Sequence, residues 1–240
     1  MAPARATSIQ RYARIAGVLF GVSIVAGGFG EFWIPSRLIA SDSVTATAHN
    51  IAASDWLFRA GFAGYLVEAC CDIGLTMLLY VLLRPVSSSL ALLAVFFRLV
   101  ATATFFFSEF FYFSASPILG GGDYLTSFSP EQLNTLAFLS IKLYGYGSGI
   151  TSLFYGVASV IIGYLIFESG YLPRVLGVLL ALSGCGFVFR SFALVLAPAY
   201  ASTAVLLLVG LAGLALTLWL LVRGVDLEKW QERGVAAAGP

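Results

Sequence analysis

The sequence predicts an all-α polytopic membrane protein, a single bundle of six transmembrane helices with both termini cytoplasmic. Three observations carry this. Hydrophobic residues make up 60% of the chain and charged residues 10%, with a mean hydropathy of +0.94. The apolar residues fall in continuous runs, each long enough to cross a bilayer at about 20 residues per crossing. The runs do not alternate polar with apolar positions, which argues against a transmembrane β-barrel. Polar surface is too scarce for a soluble domain of 240 residues.

The first run, 15–34, follows Arg5, Arg11 and Arg14. It is too long for a signal-peptide core and no small-x-small cleavage site directly follows it, so it reads as a retained helix. Pro35 and Ser36 end it, and a polar loop follows, with one short helix around 46–53. Span two, 56–83, stops at Arg84-Pro85. Span three, 90–113, ends in a run of Phe and Tyr, and Gly120-Gly121-Gly122-Asp123 makes a turn. Ser129-Pro130-Glu131 opens a helix, with Ser129 at the cap and Pro130 at the first position. The helical pattern from there to Phe167 exceeds one crossing. It divides into an interfacial or external helix, 131–144, and span four, 145–167. Spans five and six cover 172–196 and 201–222. Residues 1–225 thus form one domain, and 226–240 a flexible cytoplasmic tail.

Arg5, Arg11, Arg14, Arg84, Arg174, Arg223, Lys229 and Arg233 fall on one side of this topology, and Arg37 alone falls clearly on the other. The positive-inside rule puts the first group in the cytoplasm. The net charge of +1 gives no basis for a nucleic-acid partner; the partner that composition implies is the lipid bilayer. Cys70, Cys71 and Cys185 sit within apolar runs and read as reduced thiols. His49 is the single histidine and lies beside Asn50 in a loop, so no multi-His metal site forms within one chain.

Eight charged residues lie within the apolar runs and sum to zero: Glu31, Glu68, Asp72 and Glu109 against Arg59, Arg98, Lys142 and Arg190. Each costs about 2.5–3.5 kcal/mol at a bilayer centre, so they must meet one another or line a wet cavity. At 1.5 Å per residue, Asp72 lies roughly 18 Å and Arg98 roughly 15 Å above the cytoplasmic side, on a tight hairpin that lets them face each other. Glu31, Glu68 and Arg190 fall in a second layer, roughly 25 Å up. Glu31, Glu68, Asp72, Arg98 and Arg190 are therefore the candidate intramembrane network, structural or solute-binding. Arg59, Glu109 and Lys142 form a candidate outer polar rim, where long side chains snorkel to water.

Gly145, Gly149, Ser152, Gly156, Ser159 and Gly163 recur at spacings of four and three, one face of a helix suited to close packing. The same face offers a route to a homo-oligomer. Glu68, Cys71 and Asp72 share a helix face, but three ligands from one turn rarely close a metal site. No metal, cofactor or catalytic set is predicted, and no nucleophile elbow, zincin or phosphate loop is present.

The stretch 79–86, followed by Ser89-Leu90-Ala91-Leu92-Leu93-Ala94 and Phe96-Phe97-Arg98-Leu99, resembles a bacterial membrane family named domain of unknown function 4386. So do Asp123-Tyr124-Leu125, Pro130-Glu131-Gln132-Leu133, Tyr144-Gly145-Tyr146-Gly147, Gly163-Tyr164-Leu165-Ile166-Phe167, Ser169-Gly170-Tyr171-Leu172-Pro173-Arg174, Ser191-Phe192-Ala193-Leu194 and Pro198-Ala199-Tyr200. The resemblance covers roughly residues 11 to 225. It implies a multi-span bundle in a prokaryotic cytoplasmic membrane and no particular reaction. Members often carry histidine where Tyr144 and Ala158 stand here, which puts histidine chemistry in doubt for this chain. Asp72 and Arg98 match positions that are typically charged in the family.

Three functions fit these residues. The first is a non-enzymatic protein whose outward-facing polar cavity binds or passes a small solute. The second is a structural or partner-binding membrane subunit in which the charges are ion pairs that set helix register. An intramembrane enzyme comes third, because no catalytic set can be assembled.

Overall fold

A computed structural model describes residues 2–202 and 204–238, with side chains placed for 8–202 and 204–236. Arg5, used above for orientation, lies outside those side chains, and the last two residues of the tail lie outside the described chain. The described fold is all-helical: α1 (Ala2–Gly27), a π-helical segment (Gly28–Trp33), α2 (Ile34–Leu38), α3 (Val44–Ala53), α4 (Asp55–Leu83), α5 (Ser88–Leu119), α6 (Pro130–Ser169), α7 (Arg174–Leu196), α8 (Val205–Val222) and α9 (Leu227–Ala238). Six segments are long and apolar enough to cross a membrane: Ser8–Leu38, Asp55–Leu83, Ser88–Leu119, Pro130–Ser169, Arg174–Leu196 and Val205–Val222.

Local chemistry accounts for the helix boundaries. Ser43 caps α3, its Oγ accepting from the Ala46 amide at 3.1 Å. At the start of α6, the Gln132 amide donates to Ser129 Oγ at 3.3 Å and the Ser129 amide donates to Gln132 Oε1 at 2.8 Å. This is a reciprocal capping box with proline at the first helical position. At the C-terminus of α8, Gly224 takes φ +69°, which turns the chain so that its amide donates to Trp219 O at 2.9 Å.

The structure departs from the sequence expectation at α6. The helix runs unbroken through Tyr144 and Gly145, so the separate interfacial helix 131–144 does not exist. Forty residues reach about 60 Å at 1.5 Å per residue, well beyond the ~30 Å hydrocarbon core, so one helix serves as both crossing and extension. Gly145, Gly147 and Gly149 cost about 1 kcal/mol each against alanine. Without proline to remove a hydrogen bond, that does not break the helix.

The chain groups into two compact units, both drawing on α1, α4, α5 and α6. One comprises Met1–Val22, Cys71–Thr102 and Gly149–Pro240. Its core is built from Leu75, Leu82, Leu165, Ile166, Leu216 and Leu220. The tail, expected to be flexible, forms α9 and belongs to this unit. The Leu82 carbonyl, an orphan acceptor in the last turn of α4, receives the Tyr171 hydroxyl at 2.7 Å and the buried Trp230 Nε1 at 3.0 Å. Burial pushes the Tyr171 phenol above its ordinary range, which keeps it a donor. Arg233 adds a 2.6 Å bond to the Glu168 carbonyl. Tyr171→Phe leaves the Trp230 donor in place and is expected to cost about 0.5–1.5 kcal/mol in thermal unfolding. Trp230→Ala, which also empties a buried site, is expected to cost about 3–5 kcal/mol.

The other unit comprises Ser23–Cys70 and Ala103–Ser148. Its core is aromatic, with Phe58 stacked on Tyr112 at 4.3 Å between centroids and Tyr65 packed edge-on to Tyr112 at 5.5 Å. Asp55, in the first turn of α4, accepts from Arg59 Nε at 2.6 Å and from Ser116 Oγ at 2.5 Å.

Candidate functional site

The second unit gathers acidic and phenolic side chains in the interior of apolar helices. Glu31 lies in the π-helical segment, a wider turn often found at functional sites. Glycines make this packing feasible. A Cβ on Gly27 would meet Glu68 Oε2 at 2.6 Å, and a Cβ on Gly30 would meet the Tyr65 ring at 2.9 Å. Glu109 of α5 has no exposed surface. Its carboxyl interacts electrostatically with Glu31 and Glu68, and the Tyr144 hydroxyl is the polar group next to it, yet no hydrogen bond of ordinary geometry closes on either oxygen. Tyr112, equally buried, also interacts with Glu109, and its hydroxyl has no hydrogen-bond partner. The Tyr65 and Tyr144 hydroxyls are 3.2 Å apart, and both interact with Glu31 and Glu109.

Glu109 is thus not part of an outer rim. The side chain lies on the buried face of α5, alongside Ser108, Tyr112 and Ser116. The other two rim candidates are exposed: Arg59 pairs with Asp55, and Lys142 lies over the Phe138 ring at 4.9 Å. Asp55 was outside the balanced set of eight, so the zero sum does not describe how those charges pair. Depth along a helix places a residue vertically but does not say which face it occupies, so the height of Glu109 alone does not distinguish a rim position from a buried one.

The first unit holds Asp72 and Arg98. Arg98 Nη2 lies 3.1 Å from Asp72 Oδ1. Arg98 Nε donates to Thr76 Oγ1 at 2.8 Å, while that hydroxyl donates to the Asp72 carbonyl at 2.7 Å. The guanidinium sits 5.0 Å from the Tyr155 ring centroid, a cation–π contact. Arg98 is 4% exposed. Thr76 and Tyr155 were not legible as partners, although Thr76 stands one turn from Asp72. A cavity of about 10 Å³ adjoins Thr76 and Arg98, space for roughly one water and none for a larger solute. Arg190 also belongs to this unit; it is half-buried, and its Nε makes no hydrogen bond.

The small-residue stripe of α6 packs against α7 in an antiparallel register. Gly163 meets Gly177, Gly156 meets Gly184, and the Ser191 hydroxyl donates to the Gly149 carbonyl at 2.8 Å. Each step is seven residues forward on one helix and seven back on the other, the repeat that keeps two helices in a left-handed crossing. Ser159 is buried and Ser152 half-buried on the same helix, whereas Gly145 faces open space. Gly156 and Gly163 are occupied within the chain and are therefore unavailable to a second copy. The matching half, Gly177, Gly184 and Ser191, shows the same seven-residue spacing in the sequence.

Comparison with known proteins gives a family without an activity. A family profile described as "Domain of unknown function (DUF4386)" matches residues 15–224. An uncharacterized protein of Archaeoglobus fulgidus is 28% identical over 125 residues, 52% of this chain and 61% of the relative. The chain therefore matches less than two thirds of that relative's length. No solved structure matches.

Proposed function

Because this chain belongs to the DUF4386 family, whose description assigns no reaction, we propose from its own geometry that it is a non-enzymatic multi-pass protein of the prokaryotic cytoplasmic membrane that binds or passes a small, positively charged solute. The observation that carries this is Glu109, fully buried, with no hydrogen bond of ordinary geometry on either carboxyl oxygen and with Glu31 and Glu68 as its acidic neighbours. An intramembrane carboxyl in such surroundings calls for positive charge from outside the fold. Arg11, Arg14, Arg84, Arg174, Arg223, Lys229 and Arg233 support cytoplasmic termini. The loops around Asp42 and Asp123 then lie outside, and the site is outward-facing.

Thermal unfolding of the purified protein in detergent tests this. Sodium, potassium and small organic ammonium ions are titrated against the wild type and Glu109→Gln. A ligand at a hundred times its Kd is expected to add about 2.7 kcal/mol to the wild type and nothing to the variant. No response of the wild type to any cation, across acid and alkaline pH, would remove the reading for every solute larger than a proton. In the first unit a structural role is favoured by one specific observation: Arg98 is ion-paired with Asp72, donates to Thr76 and lies over Tyr155, although its Nη2 closes no hydrogen bond of ordinary geometry.

A further inference from the structure

We infer that Glu109 is a reversible proton-binding site, with the hydroxyls of Tyr112, Tyr144 and Tyr65 forming its polar surroundings. The inference rests on the solute reading above and names the proton as the bound species. An ionised carboxylate without an aligned hydrogen-bond donor is among the costliest states a side chain can hold inside a membrane. Protonation removes that charge and turns one oxygen into a donor.

Among the described residues, the titratable groups that interact with Glu109 come from four elements of its unit: Glu31 from the π-helical segment, Glu68 and Tyr65 from α4, Tyr112 from α5 itself and Tyr144 from α6. None is basic, and Glu109 enters no ion pair among the described residues. Arg59 is committed to Asp55.

Larger cations fit less well. Among the described residues no three His, Cys, Asp or Glu groups are placed to hold a metal ion. The Tyr65, Tyr112 and Tyr144 rings pack on one another with centroids 5.4–6.2 Å apart, at contact distance, so they do not stand apart as an open box for an ammonium ion. A proton needs no cavity. On uptake, an O–H bond forms at one Glu109 oxygen as the donor's O–H bond breaks. On release, the Glu109 O–H bond breaks as a new O–H bond forms on the Tyr144 hydroxyl oxygen, while that hydroxyl gives up its own proton to the next acceptor, so each hydroxyl keeps one proton and Glu109 is left with the negative charge. The Tyr144–Tyr65 contact, 3.2 Å, extends this path by one further hydroxyl.

Infrared spectroscopy of the full chain in lipid vesicles, titrated from acid to alkaline pH in H2O and D2O, tests the assignment. The expected result is a protonated-carboxyl C=O band that shifts in D2O and fades as pH rises. Glu109→Gln abolishes it, and Glu131→Gln, at an exposed position, leaves it unchanged. Tyr112→Phe keeps Glu109 in place and is expected to move the band frequency or its pH midpoint, which guards against a misfolded glutamine variant. No such band at any pH, or a band that survives Glu109→Gln in folded protein, overturns the inference. If a metal or ammonium ion still stabilises the wild type and not Glu109→Gln, only the proton assignment falls. If neither the band nor cation stabilisation appears, the solute reading falls with it.

Discussion

Gly163→Val is expected to cost about 3 kcal/mol, measured by thermal unfolding in detergent, whereas Gly145→Ala in the same stripe is expected to gain about 0.5–1 kcal/mol. A Cβ on Gly163 would stand 2.5 Å from the Gly177 carbonyl oxygen and 2.7 Å from the Ala181 amide nitrogen. Both are backbone atoms, which cannot rotate aside, so α6 and α7 would have to separate along the seam. In lipid that separation is hard to offset, because helix association there depends on close packing rather than on hydrophobic burial. Gly156→Val follows the same logic, its Cβ falling 2.7 Å from the Gly184 carbonyl oxygen. At Gly145 no atom lies within 4 Å, and only the backbone-entropy gain of alanine remains. A Gly163→Val protein that unfolds like the wild type would mean that the seam is loose.

That contrast also marks how far the sequence was readable. The stripe was visible because small residues repeat at helical spacing, and its use in close packing follows from physics that depends only on side-chain size. What it packs against was not visible, since α7 carries its own Gly177, Gly184 and Ser191 among many other small residues. The six crossings were legible because hydropathy over about 20 residues is a coarse property. Ends were less so: α5 continues to Leu119 through Pro117, six residues past the expected end at 113. The proline lies in the last turns, where few hydrogen bonds remain to lose. The π-helical turn that places Glu31 left no hydropathy signal. Glu109 shows the sharpest limit, for a rotation of about 100° around the helix axis, the step between adjacent residues, separates a rim-facing side chain from a buried one.

Arg98→Gln is expected to cost about 3–5 kcal/mol, because it removes the ion pair, the Thr76 hydrogen bond and the Tyr155 contact together, and Asp72→Asn less, because it leaves the last two in place. Arg98 is 4% exposed and the Asp72 side chain 15%. Removing the arginine leaves a mostly enclosed carboxylate without its cation and strips a donor from Thr76. Removing the aspartate's charge leaves Arg98 with the Thr76 hydroxyl and the Tyr155 face. Arg98→Lys separates charge from shape. It keeps the cation but loses the planar fork that reaches Asp72 and Thr76 at once while lying over Tyr155, so it is expected to fall between wild type and Arg98→Gln. The reversal, Asp72→Arg with Arg98→Asp, restores opposite charge but rebuilds neither the Thr76 bond nor the Tyr155 contact. Partial recovery, with a coupling of about 0.5–3 kcal/mol between the two sites, is the expected outcome in thermal unfolding. Full stability in every single variant would mean that this pair does not hold its unit together. The membrane cost of burying it would then have to be met by binding, and the water-sized cavity beside Arg98 is too small to supply any ligand beyond a water.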